Sequence, residues 1–213
     1  MVTLDIFSDP VCPWCMIGKA HLDRALERIG DHPFRIEWHP FQLNPDLPKG
    51  GADRREYLEA KFGGQMAAAK AYLTVQQAAE AAGVEFNIDR IARQPNTLDA
   101  HRLIHWAGLE GAQTPVVAGL FRAYFRDGRD IGQAEVLADI AAEAGMDRDV
   151  VLRLLGSGAD ADDIAARDLD ARKKGVRAVP TFLIARQYVV SGAQPPELWE
   201  KVAADIAAQA RQD

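Results

Sequence analysis

Cys12 and Cys15 are the only thiols in the chain. Their Cys-x-x-Cys spacing suits three uses: reversible dithiol–disulfide exchange, half of a tetrahedral zinc site, or a short structural disulfide. Local context separates them. The pair sits in Ser8-Asp9-Pro10-Val11-Cys12-Pro13-Trp14-Cys15, after an alternating apolar run of Val2, Leu4 and Ile6 beside Phe7. A stretch with Ile17, Leu22, Leu26 and Ile29 at helical spacing follows, closed by Gly30. The cysteines therefore lie where a buried strand hands over to an amphipathic helix. Cys12 falls at the N-cap and Pro13 at the first helical position, where no N–H is needed. Unpaired amides and the positive helix end stabilise a thiolate at Cys12. Cys15 returns to the same face one turn on, within reach of a disulfide. A zinc site needs two more ligands, and no second Cys-x-x-Cys or His-x3–5-His knuckle flanks the pair. His101 and His105, four apart on an expected helix, could complete one, but nothing in the sequence places them there. A structural disulfide across so short a loop removes little chain entropy. Dithiol redox chemistry is the favoured reading, and no metal is expected.

The rest of the chain must position that pair. Its 213 residues are 48% hydrophobic, enough for one large domain or a domain with an insertion. Lys and Arg number 25 against 31 Asp and Glu, a net charge of −6, and no basic stripe suggests nucleic acid. No apolar run approaches the ~18 residues of a membrane span. The N-terminus opens directly on a strand pattern without the features of a signal peptide, so the expected compartment is the reducing cytoplasm. Either a monomer or a homodimer is compatible with this composition.

Phe34-Arg35-Ile36-Glu37-Trp38-His39-Pro40-Phe41 alternates as a second strand, making a parallel βαβ unit with Cys12 at the carboxyl edge of the first strand. From about residue 48 to 174 the pattern turns helical and alanine-rich. Asp53 caps a helix carrying Tyr57, Leu58 and Phe62, and a second helix runs from Gln65 to about Ala82. A third begins at Pro95-Asn96. Thr114-Pro115 reads as a cap with proline at N1, opening a helix through Phe121, Tyr124 and Phe125 to Asp127-Gly128. Helices at about 133–144, 148–155 and 160–174 complete the block, in which Val84-Glu85-Phe86 is the longest strand-like run. Strand character returns at Pro180–Ile184 and Tyr188–Val190, joined as a hairpin through Ala185-Arg186-Gln187. A final helix carries Leu198, Val202 and Ile206. The fold class is α/β: a thioredoxin fold of βαβ…ββα order with a four-stranded mixed sheet and a large helical insertion. Residues 1–47 and 175–213 make the thioredoxin-like domain, and residues 48–174 the insertion.

Cys12-Pro13-Trp14-Cys15 at the front and Gly175-Val176-Arg177-Ala178-Val179-Pro180-Thr181-Phe182 at the back resemble the DsbA-like thioredoxin-fold oxidoreductases, most closely the FrnE branch. Trp38–Pro45, Asn96–Arg102 and Gly192–Pro195 resemble that branch too. The resemblance implies a cis Val179-Pro180 bond facing the cysteines and offering backbone groups to an extended substrate segment. Pro13, Trp14, Val179 and Pro180 are then substrate-binding and Cys12 and Cys15 catalytic, with Cys12 at the exposed helix entrance and Cys15 beneath Trp14 and the Val179-Pro180 turn. Protein or peptide thiols and disulfides are the implied partners, with no tightly bound cofactor; glutathione stays open as a redox partner. Ala178 stands where the family often has glycine. The kappa-class glutathione transferases and 2-hydroxychromene-2-carboxylate isomerases share the fold and form the rival function, a glutathione-dependent reaction on small aromatic substrates. They typically carry serine where Cys12 stands, and the kappa group a Ser-Asp pair where Gly192 is followed by Ala193-Gln194. Both departures favour dithiol chemistry. Pro-Trp between the cysteines lacks a histidine's positive charge, which points to a weaker oxidant than periplasmic DsbA.

Other residues invite a role. Trp14 offers an apolar face to a peptide or covers Cys15. His39 and Glu37 share a strand face, and one could relay a proton to Cys15, although a solvent-facing pair is the simpler reading. Asn96 reads as a helix cap, and Phe121, Tyr124 and Phe125 as core packing.

Overall fold

The computed structural model describes residues 1–210, so the last three residues of the expected 175–213 segment lie outside the described residues. The chain begins with β1 (Val2–Ser8), α1 (Pro13–Ile29) and β2 (Phe34–Pro40). The middle opens with β3 (Ala52–Asp53), α2 (Arg54–Phe62), α3 (Gln65–Ala81), a 3₁₀ turn at Ile88–Arg90 and β4 (Arg93–Gln94). It continues through α4 (Leu98–Leu109), α5 (Gln113–Phe121), α6 (Ala134–Glu143), α7 (Arg148–Ser157) and α8 (Ala161–Lys173). Strands β5 (Thr181–Ile184) and β6 (Tyr188–Ser191) and helix α9 (Pro196–Gln209) close the order.

The apolar alternation of the two outer segments builds one mixed sheet in the order β2-β1-β5-β6. β1 runs parallel to β2, from Val2 opposite Phe34 to Ser8 opposite Pro40, and antiparallel to β5, with Ile6 opposite Phe182. This is the expected α/β thioredoxin architecture with a helical insertion between β2 and β5. α1 and α9 pack together, and the fully buried Trp199 sets its ring edge-on to Phe182 at 4.6 Å between centroids, a favourable aromatic geometry. No helix among the described residues is long and apolar enough to cross a membrane.

Three local readings change. Val84–Phe86 is not a strand; the insertion's strand pairing is the two-residue antiparallel contact of β3 with β4. α5 starts at Gln113, one residue before the expected Thr114 cap. The Thr114 hydroxyl is occupied elsewhere, accepting from the Trp38 indole N–H at 2.9 Å. The same helix does not run unbroken to Arg126 but widens into a π turn over Arg122–Arg126, with Asp127 N bonding Arg122 O at 3.1 Å. The wider turn carries the adjacent Tyr124 and Phe125 both fully into the core.

β2 is an edge strand, and its free backbone groups need partners. Gln113 supplies them: its side-chain oxygen accepts from Trp38 N at 2.9 Å and its amide donates to Trp38 O at 3.1 Å. One side chain of the insertion thus imitates a neighbouring strand and ties the helices to the sheet. Gln113→Ala orphans a donor and an acceptor beside the buried Trp38, and each orphan costs about 1–3 kcal/mol. Urea denaturation is expected to show a loss of about 2 kcal/mol or more; a loss under about 0.5 kcal/mol would contradict this anchoring role.

Candidate active site

Cys12 is the N-cap of α1 and Pro13 its first residue, with Cys12 in extended backbone at φ −88° and ψ 112°. Asp9 O receives Cys12 N at 2.9 Å, and Cys12 O receives Cys15 N at 3.1 Å, so the turn is wound tightly from strand into helix. Both thiols are free and lie 3.2 Å apart, beyond the ~2.05 Å of an S–S bond, so the pair is in its reduced form. From the other end of the chain comes Val179, whose bond to Pro180 is cis. The Cys12 thiol donates to Val179 O at 3.6 Å, across 167 residues of sequence. In this protonated form it makes no bond to the first-turn amides, which are expected to act on the thiolate.

Burial differs from the expectation of an exposed attacking sulfur: Cys12 is 3% and Cys15 1% exposed. The insertion stands over the first sulfur, with α2 and α3 walling the space in front of Cys12. Cys12 still opens on a cavity of about 500 Å3, whose lining also includes Trp14, Tyr57, Tyr72 and Val179; Cys15 does not line it. Trp14 is 39% exposed there, with a face available to a ligand. Burial pushes the Cys15 thiol well up, and the neighbouring Cys12 adds to this, while the Ser8 hydroxyl and Asp9 backbone oppose it. Two sulfurs of the same type are thus made unequal: Cys12 faces the cavity, and Cys15 is a hidden, firmly protonated partner.

Pro13, Trp14 and Val179 all line the cavity, but Pro180 is turned inward. A Cβ added at Gly18 of α1 would stand 3.2 Å from Pro180 Cγ and 3.4 Å from Ala193 Cα. Gly18 is a residue the sequence reading missed, although a glycine inside a helix signals close packing. The Gly192–Pro195 stretch is held to α1 as well, by a 2.9 Å contact of His21 Nδ1 with Gln194 O.

His39 and Glu37 do not reach the cysteines. In the parallel register they lie beside Phe7 and Asp5, on the sheet face opposite Ser8, whose hydroxyl acts on Cys15. His39 instead bonds Asp5 Oδ1 at 2.7 Å and stacks on Phe7, and Glu37 pairs with Arg35 at 3.1 Å. His101 and His105 do not complete a site with the cysteines: His105 contacts Arg167, while His101 is buried with Nε2 3.9 Å from Asp9 Oδ1. Asn96 does close the entrance of α4, accepting from Leu98 N at 2.9 Å.

Residues 3–203 match the family of the DSBA-like thioredoxin domain. The chain belongs to that family. It is 28% identical to the Bacillus subtilis protein YwbO over 206 residues, 96% of each. A solved probable DsbA oxidoreductase from Streptomyces coelicolor is 30% identical, with TM-score 0.83 over 96% of this chain and 89% of that one. The cytosolic disulfide reductase DsbM from Pseudomonas aeruginosa shares the fold at 19% identity and TM-score 0.67, over 99% of this chain and all of its own, 100%.

This DSBA-like domain carries a second feature that the sequence reading left unread. Asp9, fully buried, accepts from Leu43 N at 2.6 Å and Val11 N at 3.3 Å, so it pins the loop before Cys12 to the loop after β2. Burial raises its carboxyl from 3.8 to about 6, against those amides and Thr97, which lower it. Burial also lowers His101 from 6.5 to about 4, opposed by the charge of Asp168. The signs oppose one another. Asp9 favours folding at low pH, a contribution lost as pH rises through about 6; His101 favours folding above 6.5, a contribution lost as pH falls through about 4. Each is on the order of 3 kcal/mol at 1.36 per unit, so over pH 4–6.5 they nearly cancel. Measured by urea denaturation relative to the parent protein, Asp9→Asn is expected to gain stability by roughly that amount between pH 4 and 7. His101→Asn should lose by a similar amount over the same range. Variant and parent curves that stay parallel in pH would contradict this assignment.

Proposed function

We propose that this protein is a thiol–disulfide oxidoreductase in which Cys12 attacks and Cys15 resolves. The observation that carries the reading is the junction itself: a cavity-facing sulfur at a helix N-cap, a buried second sulfur 3.2 Å away, and the Val179 carbonyl 3.6 Å across from the first. Helix N-termini with a neighbouring cysteine are where thiolates become reactive. The Streptomyces coelicolor and Pseudomonas aeruginosa relatives, an oxidoreductase and a disulfide reductase by name, support the same chemistry.

In the reducing direction, the Cys12 thiolate attacks one sulfur of a substrate disulfide. A bond forms between Cys12 and that sulfur, and the other leaves as a thiolate. Cys15 then gives up its proton and attacks Cys12 Sγ; the Cys12–Cys15 disulfide closes and the second substrate thiolate departs. Two electrons pass from the enzyme dithiol to the substrate, the leaving thiolates take up the protons, and an external thiol restores the pair. Oxidation and isomerisation use the same steps in reverse or in alternation. Ionisation removes the proton that Cys12 gives to Val179 O, which leaves the sulfur free to turn towards the first-turn amides. The vacated carbonyl then accepts a backbone N–H of the substrate. Residues 1–47 and 175–213 act in this scheme as the catalytic unit, and residues 48–174 as the part that walls the cavity. Action in the cytoplasm, with glutathione as a returning thiol, fits the same scheme; the Pseudomonas aeruginosa protein was solved with GSH.

Cys15→Ser removes only the resolving step. After exposure to an oxidised peptide, mass spectrometry of that variant is expected to show a mixed disulfide on Cys12 that persists until a thiol is added. Cys12→Ser should show none. An unmodified Cys12 in the Cys15→Ser protein would mean that the roles, or the activity, have been misassigned.

A further inference from the structure

Arg54 opens α2, and only 3% of it is exposed. A buried guanidinium normally stands opposite a carboxylate, because an unpaired charge in the interior is costly. Here every side chain it bonds is neutral: Gln94 Oε1 at 2.7 Å, the Tyr124 hydroxyl at 2.5 Å and the Tyr72 hydroxyl at 2.7 Å. Its centre lies 5.4 Å from both tyrosine rings, and its Nε has no acceptor among the described residues. Burial pushes both phenols up, so neither provides a counter-charge.

Two of the three groups that hold Arg54, Tyr72 and Gln94, also line the cavity on which Cys12 opens. The positive charge therefore lies directly behind that wall. Lys61 and Arg177 line the cavity itself, and among the described residues no Asp or Glu does, although the whole chain carries an acidic excess of 31 to 25. Charges that line or back a low-dielectric cleft focus their field into it. The exchange chemistry adds to the demand, since each step leaves a thiolate in the same space. At about 500 Å3 the cavity is of small-ligand size.

We propose that this cavity selects its disulfide by charge, taking one that carries carboxylates close to the sulfur, and that Arg54 sets this preference together with Lys61 and Arg177. The inference rests on the oxidoreductase reading above and adds the substrate class. Arg54 acts through the field behind the wall and is a positioning residue; it does not touch the reacting sulfurs.

The test compares peptide disulfides that differ only in flanking residues, Glu, Ser or Lys, at low ionic strength. Reduction is expected to favour the Glu form over the Lys form at least tenfold in kcat/KM, and salt should shrink the gap. Arg54→Met and the double variant Lys61→Gln/Arg177→Gln should each reduce it, and Arg54→Lys should restore it, an outcome that a merely structural role would not give. The double variant keeps the test open if Arg54→Met does not fold. Running each peptide at three and at twelve residues distinguishes a free small disulfide from a segment of a protein chain, with the preference expected at the length turned over faster. Equal rates for the Glu and Lys forms overturn the proposal, and a preference unchanged in folded Arg54→Met removes Arg54 from it. Exchange with none of the peptides would refute the oxidoreductase reading. Calorimetric binding of the S-methylated peptides to Cys12→Ser then decides charge selection separately: tighter binding of the Glu form upholds it and equal binding overturns it.

Discussion

The contact between the Cys12 thiol and the Val179 carbonyl joins two ends of the chain 167 residues apart, and most of the fold exists to make it. β1 delivers Cys12 to the carboxyl edge of the sheet, and β5, its antiparallel neighbour, begins just after Pro180 on the same edge. α1 must then lie close against the cis turn, which is why Gly18 has no side chain where Pro180 Cγ passes. The place of β5 directly beside β1 in the order β2-β1-β5-β6 is what brings the two halves of the site together.

The helical insertion changes what that site can do. It is bound to the sheet by Gln113, which satisfies the open backbone of Trp38. It walls a cavity around a sulfur that would otherwise face water, and it brings a buried cation behind that wall. Beneath the cysteine loop, Asp9 and His101 form a buried polar pair whose protonation preferences oppose each other. Asp168 extends this layer, accepting from Gln42 N at 2.7 Å and pairing with Arg172 at 2.8 Å. Asp9 from the loop after β1 and Asp168 from α8 thus hold the loops around the site through their backbone amides.

What could be read from the chain alone follows the range of the interactions. The helix cap at Cys12, the proline at N1 and the return of Cys15 one turn later are set by neighbours within four residues, and all three are present. The Val179-Pro180 turn was legible only through resemblance, since no local signal separates cis from trans. Long-range facts escaped. The burial of Cys12 depends on helices some fifty residues away, and the placement of His39 on the far face depends on the register of β1 with β2. Thr114 looked like a cap because the indole that occupies its hydroxyl belongs to Trp38. Arg54 follows the capping Asp53, and no local signal sets it apart from a surface residue of a first helical turn; its burial against Gln94, Tyr72 and Tyr124 is another long-range fact.

The central claim is that Cys12 and Cys15 form one two-electron couple. Equilibrating the protein in glutathione buffers across about −270 to −120 mV, the span of such pairs, and trapping free thiols by alkylation tests it directly. The account predicts that both thiols disappear together in a single transition, tenfold in equilibrium constant per 29.6 mV, with the mass falling by two hydrogens. Thiols that remain free throughout, or that titrate separately as glutathione adducts, would contradict it.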